Sequence, residues 1–165
     1  THLSLIKQSN VQFIWQTGKF YSEQIREELE KKGKPDNLYV SDFIADMAKA
    51  YKAADLVISR AGASSISELC LLGKPCILVP SPNVAEDHQT KNALALVKKD
   101  AAIYIKDSEA QMALLPKAVS TVNEPERLVA LSRNIISLAH PDAARIIAEE
   151  VIRLAKEKKQ AQHSN

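Results

Sequence analysis

Apolar residues fall along this chain in short runs separated by longer amphipathic stretches, and the alternation predicts an architecture. Val11 to Trp15 is a short apolar run suited to a buried parallel strand, with Phe13 and Trp15 read as core, and Thr17-Gly18-Lys19 breaks it. Tyr21 to Lys32 reads as a helix with Ile25 and Leu29 inward, stopped at Gly33. Leu38 to Val40 is a second strand, Met47 and Tyr51 mark a short helix, and Leu56 to Ile58 is a third strand. A helix over Ser64 to Leu72, apolar at Ile66, Leu69, Cys70 and Leu72, ends at Gly73, and Cys76 to Val79 is a fourth strand closed by Pro80. After a loop over Ser81 to Ala85 come a helix from Glu86 to Lys99 and a fifth strand over Ala102 to Ile105. Beyond it the pattern is helical only, over Pro116 to Asn123, Glu126 to Ala139 and Asp142 to Lys159, with a break at His140-Pro141.

Strands alternating with helices, followed by helices alone, predict an α/β fold: a Rossmann-like doubly wound parallel sheet with a C-terminal helical tail. Ligands of such sheets bind outside the carboxyl ends of the strands. The turns at Gln16-Thr17-Gly18, Asp42-Phe43-Ile44, Arg60 to Ser65 and Ser81 to Gln89 would share that edge.

Composition narrows the class. A chain of 165 residues, 45% hydrophobic and 25% charged, suits one well-buried domain. A net charge of +2 gives no case for a nucleic-acid partner, and Lys156, Lys158 and Lys159 suit a solvated helix end. No apolar stretch approaches membrane-spanning length. Cys70 and Cys76 sit in apolar contexts at no metal or redox spacing, which predicts two buried, reduced thiols. Thr1 to Ser9 looks like the end of an amphipathic helix with no starter Met, so the chain is expected to be part of a longer polypeptide.

Candidate chemistry concentrates in Ser59-Arg60-Ala61-Gly62-Ala63-Ser64-Ser65-Ile66-Ser67-Glu68. A small-residue turn opening a helix directs backbone N–H groups at open space, where the helix dipole favours phosphate. Glu68, a turn inside, is placed to accept from ribose hydroxyls. Glu86-Asp87-His88-Gln89-Thr90-Lys91-Asn92 opens another helix with a cluster of hydrogen-bonding side chains, and the two stretches together suggest a nucleotide-sugar site. The plain alternatives are tight packing at Gly62, and surface positions for Glu68 and His88. The turn carries neither G-x-G-x-x-G nor a P-loop, which argues against the usual nicotinamide or ATP sites. Of Asp42 and Asp46, one is read as capping the following helix and the other as exposed, rather than the two as a metal pair, and no metal is expected.

Several spaced motifs then coincide: Phe43-Ile44-x-Asp46-Met47, Ala54 to Ala63 followed by Glu68, Gly73-Lys74-Pro75, and Asp87-x-Gln89-x-x-Asn92-Ala93. With Trp15 to Lys19 before them and Pro141 to Ala144 after, they resemble the MurG family. These N-acetylglucosaminyltransferases convert lipid I to lipid II in peptidoglycan synthesis. The resemblance covers nearly the whole chain. It implies the C-terminal half of a GT-B glycosyltransferase, over residues 1–165, lacking its first strand and glycine-rich loop, with the N-terminal acceptor domain absent.

The resemblance also implies roles. Ile44 would present its backbone to uracil, Ala63, Ser64 and Ser65 would hold the diphosphate, and Glu68 the ribose. Gln89 and Asn92 would hold the N-acetylglucosamine hydroxyls, with His88, where the family often carries Gln, as a further candidate. Thr17 and Gln16 would lie near the phosphates or the cleft, and Arg60 is read as structural or cleft-facing. The donor is UDP-N-acetylglucosamine, with no cofactor. The acceptor lipid I would be met through the missing domain, on the cytoplasmic face of the bacterial plasma membrane, as a peripheral protein of cell-wall synthesis. No catalytic residue is assigned within the chain, which alone is expected to bind the donor weakly or not at all and to be inactive. Two other readings stay open: another UDP-sugar transferase or epimerase, and a non-catalytic nucleotide-sugar-binding subunit of a split transferase.

Overall fold

A computed structural model describes residues 2–82 and 87–163, with side chains described to residue 157. The elements run α1 (His2–Gln8), β1 (Phe13–Gln16), α2 (Lys19–Lys32), β2 (Leu38–Ser41), α3 (Met47–Ala53), β3 (Val57–Ser59), α4 (Ala63–Leu72), β4 (Cys76–Leu78), α5 (His88–Val97), β5 (Ile103–Tyr104), α6 (Asp107–Val122), α7 (Pro125–Ile136) and α8 (Ala143–His163). Strand and helix alternate through β5 and helices follow, as the hydrophobic pattern implies. Much of the loop over Ser81 to Ala85, and the helix start at Glu86, lie outside the described residues.

Every described strand pair is parallel. The strands form two sheets, one of order β1-β2 and one of order β3-β4-β5. Alternation along β4 shows how the larger sheet is covered. Cys76 and Leu78 point into a core shared with Leu69 and Cys70 of α4, Ala93 and Leu96 of α5, and Ile135 of α7. Ile77 and Val79 point the other way, into a core with Ile105 and Ala118, flanked by Ala110, Ala113 and Leu114 of α6. Helices therefore lie on both faces, and Cys76, Ile77 and Leu78 are all fully buried.

The smaller sheet is covered on one face. Ile6 of α1, Leu29 of α2 and Leu38 of β2 form a third core with Phe13 and Val40 at its margin. On the opposite face Ile14 and Tyr39, paired across the strands, are 49% and 59% exposed. Trp15, expected in the core, is 42% exposed at the carboxyl end of β1.

Three further departures have local causes. The helix expected from Pro116 begins at Asp107 and runs through the proline. An interior proline removes one backbone hydrogen bond at a cost of about 3 kcal/mol. Here the Ala110, Ala113, Leu114 and Ala118 face packs on the sheet across that position and offsets the loss. Leu72 is 49% exposed because α4 buries the side carrying Leu69 and Cys70 instead. The helix expected from Glu126 starts at Pro125, the first-turn position where proline is tolerated. Gly73 caps α4 in the left-handed conformation, its N–H donating to Cys70 O, as the sequence implies.

Candidate functional site

The β3–α4 turn supplies the central feature. Gly62 precedes α4, no side chain caps that end, and the first turn holds no acidic residue. The first intrahelical bond runs from Ile66 N–H to Gly62 O, which leaves the N–H groups of Ala63, Ser64 and Ser65 without helical acceptors. By contrast, α6 carries Asp107 and Glu109 in its first turn, and α3 is capped by Asp46, which accepts from Lys49 N–H at 3.0 Å. The α4 end is thus a positive pole that the chain itself does not neutralise, suited to an anion. The backbone of Gly62 (φ −68°) is open to any residue and a Cβ there would meet nothing closer than Ser65 Oγ at 4.0 Å, so glycine leaves this approach clear rather than permitting a strained turn.

Glu68 lies one turn inside, on the face of Ser64 and Ser65. Its Oε2 accepts from the Tyr51 hydroxyl of α3 at 3.2 Å. Between α3 and α4 is a cavity of about 670 Å³ lined by Met47, Tyr51, Lys52, Glu68, Leu71 and Leu72, among others. It is apolar along much of its wall, with a carboxylate and a phenol at one side. The exposed Leu71 and Leu72 belong to this wall. Lys74 Nζ, donating to Ala54 O at 2.8 Å, ties the end of α4 to the end of α3.

Other candidate residues are engaged with the loops around the strand ends. Gln89 Oε1 accepts from Ser81 N–H at 2.9 Å, and Asn92 Nδ2 donates to Ala61 O at 3.2 Å, so α5 holds both the β4 loop and the turn before α4. His88 is exposed at the first residue of α5. At the ends of β1 and β2, Ile44 N–H donates to Gln16 Oε1 at 2.9 Å. The Thr17 hydroxyl lies within reach of Gly18 O and Ser41 O, and its N–H donates to Ser41 O. The candidates therefore form two groups, Gln16, Thr17 and Ile44 at the smaller sheet, and Ala63 to Glu68 with Gln89 and Asn92 at the larger. The Tyr51–Glu68 bond links the helices that follow β2 and β3.

Arg60 is structural. Its guanidinium donates to Val79 O and Pro80 O, both at 3.2 Å, and pairs with Asp107, fastening the ends of β3 and β4 to the start of α6. Asp42 accepts from Phe43 N–H and Asp46 caps α3, the Lys49 contacts holding the Asp46 carboxyl below the usual carboxylate range. Among the described residues no group of three or more His, Cys, Asp or Glu could hold a metal ion. Cys70 and Cys76 are free thiols in the core, and burial, then Cys70, pushes Cys76 up to about 12, so it stays protonated and unreactive.

The model of the glycosyltransferase family 28 C-terminal domain matches residues 1–147. The chain belongs to this family.

Among curated relatives of this family-28 domain, the UDP-N-acetylglucosamine--N-acetylmuramyl-(pentapeptide) pyrophosphoryl-undecaprenol N-acetylglucosamine transferase of Bacteroides thetaiotaomicron is 64% identical over 155 residues, covering 93% of this chain and 42% of the relative. The protein of the same name from Porphyromonas gingivalis is 56% identical over 155 residues, 93% of this chain and 40% of the relative. The chain thus spans about two fifths of the length of these relatives. The crystal structure of Acinetobacter baumannii MurG superposes with a TM-score of 0.76 at 31% identity, covering 90% of this chain and 44% of that one. The glycosyltransferase VinC, solved with DTDP, gives a TM-score of 0.71 at 16% identity over 94% of this chain and 37% of that one, a likeness of fold. The family-28 assignment accords with the expected α/β, GT-B-type architecture.

Tyr51 is the site residue that reading the sequence for chemistry passed over. Its one signal is its place on α3, four residues after Met47 and on the same helical face, a spacing that shows a shared surface and not a partner on another helix. A second cavity, of about 470 Å³, lies at the ends of β4 and β5 beside Pro80, Thr90, Tyr104 and Lys106. It adjoins the loop whose residues 83–86 are not described.

Proposed function

We propose that this chain is the donor-binding part of an inverting glycosyltransferase that moves N-acetylglucosamine from UDP-N-acetylglucosamine to lipid I, forming lipid II. The observation that carries the reading is the uncapped, acid-free start of α4 with Glu68 a turn inside. In this reading the diphosphate sits at the N–H groups of Ala63, Ser64 and Ser65, and Glu68 accepts from the ribose hydroxyls. Ile44 offers its backbone to uracil once Gln16 releases the N–H. Gln89 and Asn92 reach the sugar from the α5 end, with His88 beside them, while Thr17 and Gln16 border the cleft.

The chemistry follows from where charge develops. As the bond from the anomeric carbon to the phosphate oxygen breaks, negative charge grows on the departing UDP. Fixed N–H dipoles aimed at that oxygen set stabilise the transition state more than the ground state. Transfer also needs a base for the acceptor hydroxyl, and none is assigned among these residues. That base and the lipid-facing surface belong to the part of the relatives that this chain does not span, acting at the cytoplasmic membrane face. Donor capture and leaving-group stabilisation are the share of this domain.

The test is a titration of the isotope-labelled chain followed by amide chemical shifts, a readout that reaches weak affinities. UDP-N-acetylglucosamine is expected to bind in preference to an ADP-sugar. Glu68→Ala is expected to weaken binding about tenfold or more, the loss of charged hydrogen bonds worth ~1.5–3 kcal/mol, with only a small fall in melting temperature from the lost Tyr51 bond. Binding indifferent to the base and to Glu68 contradicts the reading.

A further inference from the structure

Glu68 is exposed on α4, and an exposed glutamate ordinarily samples several rotamers, each of which must be given up when it takes a ligand. Here one oxygen is already held, because Tyr51 donates to Oε2 at 3.2 Å across the α3–α4 groove. Tyr51 itself is half-buried against the core built on α4, α5 and α7, so its ring has a fixed seat. Burial first, then the Glu68 charge, raise the phenol above the ordinary tyrosine range, which keeps it a donor at neutral pH. The same two side chains stand together in the wall of the cavity between α3 and α4.

We propose that Tyr51 is a positioning residue for the donor ribose, anchoring Oε2 of Glu68 so that Oε1 remains as the acceptor for the ribose hydroxyls. This rests on the donor reading above and deepens it. The pair makes α3 part of the nucleotide site although no α3 side chain carries the contact itself. A carboxylate tied at one oxygen loses less freedom on binding a diol, so the anchor acts on affinity for ribose in particular and leaves contacts to phosphate, base and sugar untouched. A bond serving only to hold α3 to α4 would affect every ligand of the site alike.

The experiment compares UDP-N-acetylglucosamine with its 2′,3′-dideoxyribose analogue, on the wild-type chain, Tyr51→Phe, Glu68→Ala and the double variant, with affinities from amide shift titrations. Tyr51→Phe is expected to weaken the parent donor by about three- to tenfold while leaving the dideoxy analogue unchanged. Glu68→Ala is expected to remove the preference for ribose, and Tyr51→Phe to add nothing to it. A Tyr51→Phe variant that weakens both donors equally, or neither, overturns the positioning role and leaves the donor site standing. A wild type that binds the two alike overturns the ribose reading of Glu68 and this proposal with it. Where the chain alone binds neither, the same variants are compared by KM in the full-length enzyme, and equal effects on both donors there overturn the proposal.

Discussion

The two sheets are built from similar sequence and end in different environments. Strand β4, Cys-Ile-Leu, has a neighbour on each side and helices over both faces, and all three residues are fully buried. Strand β1, Phe-Ile-Trp-Gln, is apolar over its first three residues, yet it pairs with β2 alone among the described strands and is covered on one face. Ile14 on the open face is left 49% exposed, and Trp15, on the face of Phe13 but at the strand end, 42% exposed. Apolar composition therefore measures what a strand can bury, and the number of covering layers decides what it does bury. The functional reading follows the same division. The α4 turn stands on the fully enclosed sheet, where Arg60 and Asn92 fasten the surrounding backbone. The residues expected to meet the base stand on the half-covered one, where the Gln16 side chain occupies the Ile44 N–H.

Truncating one residue of equal size in each sheet is the sharpest way to break this comparison. Ile77→Ala removes a side chain enclosed on all sides and is expected to cost about 2–5 kcal/mol in chemical denaturation. Ile14→Ala removes one already half in water and is expected to cost under about 1 kcal/mol. Equal losses would mean that the smaller sheet is covered in solution by something other than these elements.

A smaller effect separates folding from binding within the enclosed half. Gly73 has φ +59°, and a Cβ there would lie 3.3 Å from Ile136 Cδ1. Gly73→Ala is expected to lower stability by roughly 1–2 kcal/mol. Gly62 has an ordinary backbone and open space, so Gly62→Ala is expected to change stability by less than about 0.5 kcal/mol. Any loss it causes should appear in donor binding, because the added methyl stands at the approach to the α4 N–H groups. A melting curve and a donor titration on the same two variants check both statements.

Much of this arrangement is legible in the order of residues alone. The Cys76 to Val79 run, short, apolar and bounded by Gly73 and Pro80, marks the fourth strand, because a run of that length between breakers suits a buried strand better than a helix. Gly73 marks the end of α4, since the cap needs a left-handed residue. Periodicity could not give the exposure of Trp15, which depends on layers contributed from elsewhere in the fold. Nor could it carry α6 through Pro116, where tertiary packing overrides a local rule. At the site, residue type and spacing picked out the turn at Gly62 and the acid at Glu68. The Tyr51 partner joins residues 17 positions apart on two helices, Asn92 turns to the backbone of Ala61, 31 positions away, and Gln89 to that of Ser81 in the loop before its own helix. Such contacts are products of packing and leave no local pattern.

The central claim is that a nucleotide-sugar diphosphate docks at the start of α4. A crystal structure of this chain soaked with UDP-N-acetylglucosamine tests it most directly. The account predicts diphosphate oxygens within hydrogen-bond distance of the Ala63, Ser64 and Ser65 N–H groups, with the ribose hydroxyls on Glu68. A diphosphate found instead in the cavity beside Lys106, with the α4 turn left to water, would contradict it.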